Sequence, residues 1–235
     1  MTDSILSRLE ALADEGDAHN LEWFFKTGPG EYGEGDRFRG IRVPVLRKLC
    51  REFPQAGLTE VLQLLDSPWH EDRLLALLLL VNRFTKADAA GRQEVYDTYC
   101  SRTDRINNWD LVDLSAPNIV GTHLATRDRS PLYRFAVSES LWERRIAIVS
   151  TFTFIRQGEF SDTFAIAERL LADRHDLIHK ATGWMLREVG KRDQSALEGF
   201  LAAHYPRIPR TTLRYAIERF PEDRRRAWLK GDVVS

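Results

Sequence analysis

The chain has 235 residues, of which 43% are hydrophobic and 29% charged, a balance typical of a globular protein rather than a disordered one. Its longest apolar run, residues 74–81, is far shorter than the ~20 residues that span a bilayer, so we expect no membrane segment. The net charge of −1 hides an asymmetry: residues 1–140 hold 17 Lys and Arg against 22 Asp and Glu (net −5), and residues 141–235 hold 17 against 13 (net +4). The basic C-terminal part is either a polyanion-binding surface or a solvated Arg-rich surface.

The N-terminus, MTDSILSRLEALADEGD, has neither the basic start nor the apolar stretch of a signal peptide. Cys50 and Cys100 lie far apart and match no metal-ligand spacing. We interpret them as reduced thiols and expect a cytoplasmic protein. The sequence gives no sign of an oligomer, so we expect a monomer.

Helical periodicity runs through nearly the whole chain. Segments such as VPVLRKLCREF and LTEVLQLLDS repeat apolar residues every three or four positions, and no hairpin signal appears. The residue Pro117 lies inside a helical segment, which it should end or kink. The loop from Thr27 to Gly40 contains the spacing G-x-G-x-x-G but follows no strand, so we interpret it as a flexible connection and not as a nucleotide site. Five other prolines stand at the starts of helical patterns, where a missing N–H costs little: Pro44, Pro68, Pro131, Pro209 and Pro221.

The helices also recur at a nearly constant interval. A repeat of 32 to 40 residues with two helices per unit predicts an all-α fold, an α-solenoid of HEAT-like repeats that forms a single domain over residues 1–235. In such a fold the second helices of successive units line one concave face. These second helices begin near Trp69, Trp109, Trp142, Ile178 and Arg210.

Three of the second helices carry side chains that a plain core helix would not select. NNWDLVD places Trp109 and Asp113 four residues apart, and therefore on one helix face. LWERRIAIVSTF places Arg145 before an apolar run, and HKATGWMLREVG brings Lys180 and Trp184 together. Taken singly, the tryptophans are most simply interpreted as core residues. Asp113 and Arg145 are most simply interpreted as a structural ion pair. Together, the four residues Trp109, Asp113, Arg145 and Trp184 predict one concave groove.

No metal is expected in this groove. His175 and His179 share a helix face, but no third ligand accompanies them at a standard spacing. We therefore interpret both histidines as structural or solvent-facing.

The same segments carry a resemblance to a known family. NNWDLVDLSAPNIVG, LWERRIAIVSTFTFIRQGEF, DLIHKATGWMLREVGKRD and the earlier GIRVPVLRKLCREF resemble the AlkD-like family of DNA alkylation-repair glycosylases, from about Trp23 to Arg192. That family is an α-solenoid of HEAT-like repeats, and it removes bases made cationic by alkylation without a deep base-flipping pocket. The resemblance places the family's catalytic aspartate on Asp113, its site tryptophans on Trp109 and Trp184, and its site arginine on Arg145.

One departure from the family concerns its N-terminal helices. The family often has a tyrosine there, near the DNA backbone. The corresponding segment here reads Trp23-Phe24-Phe25 and has no hydroxyl group, so that contact is not carried over.

The resemblance implies a monofunctional, cofactor-free DNA glycosylase of base-excision repair that acts on duplex DNA containing alkylated bases. In it, Asp113 stabilises an oxocarbenium-like sugar, the tryptophan faces attract the cationic base, and Arg145 holds a phosphate. A non-enzymatic helical-repeat scaffold that binds nucleic acid or a protein remains the alternative on sequence grounds. The residues expected to contact DNA phosphates are Lys180, Arg187, Lys191, Arg192 and three arginines that share a face by spacing, Arg207, Arg210 and Arg214.

Overall fold

The computed structural model describes residues 2–233, with side chains from residue 5 onward. These residues form helices and contain no β-strand; the only extended pairing among them is an isolated bridge between Arg37 and Trp69. Within the same residues, no helix is long and apolar enough to cross a bilayer. The α-helices are α1 (Thr2–Ala11), α2 (Glu15–Phe24), α3 (Val43–Glu52), α4 (Leu58–Leu65), α5 (His70–Lys86), α6 (Ala89–Cys100), α7 (Trp109–Ala116), α8 (Thr122–Leu124), α9 (Ser130–Phe135), α10 (Leu141–Ser150), α11 (Phe152–Arg156), α12 (Ser161–Leu170), α13 (Asp176–Gly190), α14 (Gln194–His204), α15 (Arg210–Ala216) and α16 (Glu222–Lys230).

The helices begin where the repeat predicts. Trp69 directly precedes α5, and Trp109 is the first residue of α7. Trp142 and Ile178 lie in the first turns of α10 and α13, and Arg210 begins α15. The predicted fold class, an all-α chain of helical repeats of the α-solenoid type, is confirmed.

Pro117 alters the helix that carries Trp109 and Asp113. It has no N–H to donate to the carbonyl four residues earlier, that of Asp113. As predicted, α7 therefore ends at Ala116, and the chain continues through a wider π-helical segment, Pro117–Gly121. Such segments are frequent at functional sites.

The chain divides into two compact units, one up to Ser115 and one from Ala116 onward. In the first unit, α5 packs against α3, α4 and α6. Every residue of α5 from His70 to Leu80 is buried. The first turn of α5 carries charged side chains although it is buried. They can be buried because the segment before α3 supplies groups that pair with them.

The connection between α2 and α3 corrects the sequence prediction. The carboxylate of Glu71 accepts hydrogen bonds from the backbone N–H groups of Arg39, Gly40 and Ile41, at 2.8 Å, 2.9 Å and 3.0 Å. Asp72, also buried, accepts two more from the Arg39 guanidinium, at 2.7 Å and 3.0 Å. The end of this loop is therefore tied to α5, and the prediction of a flexible connection is wrong there. Sequence patterns do not reveal it, because the partners lie 30 to 33 residues apart.

In the second unit, α13 packs against α10, α12, α14 and α15. Gly183 permits the approach of α15: a Cβ atom at this position would lie 2.6 Å from the carbonyl oxygen of Thr212. At the start of α13, the His175 side chain accepts the N–H of Leu177 at 3.2 Å. His179 hydrogen-bonds the carbonyl of Asp173 at 2.7 Å. Both histidines thus take part in structural contacts.

Candidate active site

Helix α7 presents Trp109 and Asp113 on its partly exposed side. Both side chains are half-buried, whereas Leu111 and Val112 between them are completely buried. The i, i+4 spacing puts the indole and the carboxylate on one face. Trp109 is therefore not an ordinary core tryptophan, because part of its ring remains accessible.

Two phenylalanines at the end of α2, next to the exposed Trp23, contact Trp109. The ring of Phe25 stacks on Trp109, with centroids 5.3 Å apart and planes 20° apart. Phe24 meets Trp109 edge-on at 6.0 Å and is 54% exposed. Trp23 is 75% exposed. The sequence does not predict this grouping, because the aromatic residues of α2 lie more than 80 positions before Trp109.

A buried histidine lies behind the aromatic group. His70 donates one hydrogen bond to Asp36 at 2.8 Å and another to Asp110 at 2.9 Å. Its ring packs against those of Phe25 and Phe38, with centroids 4.9 Å and 4.6 Å away, and those two rings also stack on each other at 5.0 Å. Burial by itself lowers the pKa of His70, but the charge and hydrogen bond of Asp110, with those of Asp36, outweigh it and raise the pKa to about 9. His70 is thus an imidazolium at neutral pH.

Asp36 joins this histidine to two further side chains. It accepts a hydrogen bond from the buried guanidinium of Arg73 at 2.6 Å and one from the Asn108 amide at 3.4 Å. Burial raises the pKa of Asp36, but the hydrogen bond and charge of His70, with the charge of Arg73, lower it below its usual value overall. Two carboxylates and two cations therefore form a buried group of balanced charge beside the first turn of α7.

The second unit carries the other two predicted site residues. Arg145, on α10, is only 5% exposed, and its guanidinium donates a hydrogen bond to the carbonyl of Leu177 at 2.7 Å. A side chain this buried offers little surface to a phosphate, and the contact ties α10 to the first turn of α13. Trp184, on α13, is half-buried, and its ring centroid lies 6.1 Å from that of Phe152.

Most of the predicted phosphate contacts already have partners in the protein. Because an acidic or carbonyl partner is near, a phosphate would have to displace or share it. Six residues are so engaged: Lys180 with Asp176, Arg187 with Glu218, Lys191 and Arg192 with Glu188, Arg207 with Glu168, and Arg210 with the carbonyl of Leu229.

The prediction that Arg207, Arg210 and Arg214 share one helix face is wrong for Arg207. Arg210 and Arg214 lie on α15, one turn apart. Arg207 lies in the 3₁₀ turn that precedes α15, so helical spacing does not place it on their face. Arg214 is exposed and has no ion-pair partner among the residues that the structure describes.

A cleft between α3 and α5 contains cations that the sequence reading missed. It has a volume of about 390 Å³ and is lined by Arg47, Arg51 and Lys86, with Cys50 and Asn82. None of the three cations forms an ion pair within residues 5–233. Arg47 and Arg51 are one turn apart on α3, a spacing at which like charges repel. The spacing of the two arginines was visible in the sequence, but not the lack of acidic neighbours.

Comparison with known proteins agrees with this architecture. The family model of the DNA alkylation repair enzymes matches residues 5–220. The chain belongs to this family. A solved structure described as a predicted DNA alkylation repair enzyme from Enterococcus faecalis superposes with a TM-score of 0.71 at 16% sequence identity, covering 89% of this chain and 97% of that one. At this identity the match shows a common fold. No curated protein sequence matches the chain significantly. Membership of the family supports a role in the repair of alkylated DNA.

Proposed function

We propose that the protein hydrolyses the N-glycosidic bond of cationic alkylated purines, of the 3-methyladenine and 7-methylguanine type, in duplex DNA. The observation that carries the proposal is the face of α7, where a partly exposed indole and a carboxylate lie one turn apart beside further aromatic rings. An aromatic face attracts a cation, and a carboxylate stabilises positive charge on a sugar. The reaction proposed here needs both.

The chemistry places its main demand on Asp113. When the C1′–N bond breaks, its electron pair returns to the alkylated ring and neutralises the positive charge of the base. The sugar is left as an oxocarbenium-like cation. The Asp113 carboxylate stabilises this cation and orients a water, whose oxygen bonds to C1′ while one of its two protons passes to the solvent. The products are a free neutral base and an abasic site in an intact strand.

The tryptophans bind the base before it leaves. The Trp109 face attracts the cationic purine by about 0.5–2 kcal/mol, depending on how far water is excluded. We propose the same role for Trp184. Arg145 is proposed to act by fixing the start of α13, the helix that carries Trp184, in keeping with its bond to Leu177.

A hydrolytic reaction is favoured over a lyase reaction. A lyase needs a neutral amine that forms a Schiff base with the sugar. Lys180, the candidate amine, lies 2.8 Å from the carboxylate of Asp176. That ion pair stabilises the charged, non-nucleophilic form of the lysine.

Duplex binding is proposed to rest on two groups of cations. Arg47, Arg51, Lys86 and Arg214 have no ion-pair partner within residues 5–233, so they can contact phosphates without losing one there. The predicted contacts that are already paired must exchange a carboxylate for a phosphate, and a surface pair of this kind contributes only about 0–1 kcal/mol. The exchange is therefore inexpensive, but it adds less affinity than an unpaired cation.

The test is release of free base from methylated duplex DNA in the presence of EDTA. We expect 7-methylguanine to appear in the supernatant and abasic sites to accumulate without strand cleavage. Release of no base from DNA that the protein binds would leave the non-enzymatic scaffold as its function. Cleavage 3′ to each abasic site would instead indicate a lyase.

A further inference from the structure

The neighbours of Trp109 in the chain are both held by the buried charged group. Asp110 accepts the hydrogen bond of His70, and its second carboxylate oxygen accepts the N–H of Leu111 at 2.9 Å. Asn108 donates to Asp36, and its side-chain oxygen accepts the N–H of Trp109 at 2.8 Å. The backbone on each side of Trp109 is therefore fixed by the same group.

The indole ring is held by a third contact. Phe25 lies against His70 on one side, at 4.9 Å, and stacks on Trp109 at 5.3 Å. Because Phe25 is 6% exposed, its ring has little freedom to move away from either neighbour. Displacement of His70 would be passed to Trp109 through this ring.

We propose that His70 is a positioning residue of the reaction, which fixes the Trp109 indole through Asp110 on one side and through Phe25 on the other. This inference rests on the proposed function. His70 does not touch the substrate; it acts through residues that do, or that carry those that do.

The choice of a charged residue at this place has a physical reason. A buried ion pair contributes little stability beyond an apolar pair of the same shape, but breaking it is expensive because a charge is left unpaired. Here the imidazolium faces Asp36 and Asp110, and Arg73 and Asn108 face Asp36 in turn. Every charge in this group is paired in only one arrangement of the side chains, so any other arrangement is less stable. An apolar contact is less selective for one arrangement.

The protonated state of His70 is part of the arrangement. A neutral imidazole has a single N–H and can donate to only one of the two carboxylates. Loss of the proton therefore releases either Asp36 or Asp110 and leaves two buried carboxylates against one cation. Excision is expected to fall on the alkaline side as this proton is lost, while the proposed DNA contacts of Arg47 and Arg51 should be unaffected.

The experiment compares His70→Gln with Asp72→Asn. Asp72 lies on the same turn of α5, is also buried and also anchors the α2–α3 connection, but it accepts hydrogen bonds from Arg39 and Ser67 and not from the residues around Trp109. Single-turnover excision, duplex affinity and the fluorine NMR signal of 5-fluorotryptophan at position 109 are measured on folded protein, with that signal identified by its absence in Trp109→Phe. Asp110→Asn serves as a second variant, because it removes the charge of Asp110 and leaves the contact of His70 with Asp36 in place.

We expect His70→Gln to slow excision by about tenfold to a hundredfold, the effect of a small misplacement, with duplex affinity nearly unchanged. Asp110→Asn should act in the same direction, and Asp72→Asn should retain the wild-type rate per folded molecule. Both the wild-type rate and its Trp109 signal should titrate near pH 9, and His70→Gln should abolish this step. A wild-type rate in His70→Gln, or an equal loss in Asp72→Asn, would overturn the positioning role.

Failure of the proposed function gives a different result. If the wild-type protein releases no base, the glycosylase proposal is wrong, but the Trp109 signal still tests the positioning role. A signal that titrates in the wild type and not in His70→Gln supports positioning without excision. A signal that shows no step near pH 9 in the wild type overturns it.

Discussion

The indole of Trp109 stacks on the ring of Phe25, with 5.3 Å between the two centroids and 20° between the two planes. This contact joins the C-terminal end of α2 to the first residue of α7. It leaves part of the indole accessible while fixing its orientation, which is the combination expected of a ring that binds a cationic base.

Asp113→Asn keeps the shape of the side chain but removes its charge. If Asp113 stabilises a sugar cation, excision should fall at least about a hundredfold, which corresponds to ~2.7 kcal/mol of transition-state stabilisation. Folding and duplex binding should be retained. Single-turnover release of 7-methylguanine measures the effect. Asp104→Asn is the matched control, because this exposed aspartate lies in the turn before α7. Unfolding of Asp113→Asn with a normal rate per folded molecule would mean that Asp113 is structural.

Phe24→Ala should weaken recognition of the cationic base. The Phe24 edge meets Trp109 while more than half of its surface is exposed, so its removal takes away an aromatic surface at little cost in stability. Aromatic pairs contribute about 0.5–1.5 kcal/mol. We therefore expect the excision rate, measured at protein concentrations that do not saturate the DNA, to fall by roughly threefold to tenfold. Trp23→Ala is the comparison, because Trp23 is more exposed and its ring is covered by the ammonium group of Lys26. An equal loss in both variants would show that the effect is not specific to the Trp109 contact.

Charge reversal in the α3–α5 cleft should weaken duplex binding with and without a lesion. The double variant Arg47→Glu with Arg51→Glu removes two unpaired cations, and the slope of log affinity against log salt should become shallower by roughly 0.9 for each lost phosphate contact. Lys191→Glu with Arg192→Glu is the matched double variant, and it should weaken binding less because both residues are paired with Glu188. Fluorescence anisotropy over a salt series gives both slopes. The reverse order of effects would place the duplex on the C-terminal cations.

The stability of the protein should depend on pH through His70. Its pKa is about 9 in the folded protein and lies near the ordinary 6.5 in the unfolded chain. The folded protein therefore binds this proton more tightly than the unfolded chain does. The resulting contribution to stability is fully present below about pH 6.5 and is lost as the pH rises through about 9. Urea unfolding at pH 7 and pH 10 should show a larger fall in unfolding free energy for the wild type than for His70→Gln. Equal falls would show that another group titrates.

Gly183→Ala should destabilise the second unit. The added Cβ would lie 2.5 Å from the Tyr215 Cβ and 2.6 Å from the Thr212 carbonyl oxygen, so the two helices must separate, at a cost of about 1–3 kcal/mol. Gly199→Ala is the control, because a Cβ on this exposed glycine of α14 meets nothing within 4 Å. That variant should be more stable by about 0.5–1 kcal/mol. Thermal unfolding measures both, and a stable Gly183→Ala would mean that α13 and α15 can move apart freely.

Local features of the protein could be predicted from the sequence. Helix starts near Trp69 and Trp109 follow from the apolar period, and the end of α7 follows from the missing N–H of Pro117. The shared face of Trp109 and Asp113 follows from helix geometry alone. Each of these depends on residues a few positions apart, where the backbone itself fixes the distance.

Only the tertiary structure decided which distant segments of the chain come into contact. Phe25 reaches Trp109, and Asp36 reaches His70 across 34 positions, because the segment that follows α2 packs on the first turn of α5. The same holds for the pairing of cations: Arg207 has an acidic partner 39 positions away, whereas Arg47 has none among the residues that the structure describes. Periodicity identifies the face of a helix but not what covers it, since burial and charge pairing depend on which helices pack together.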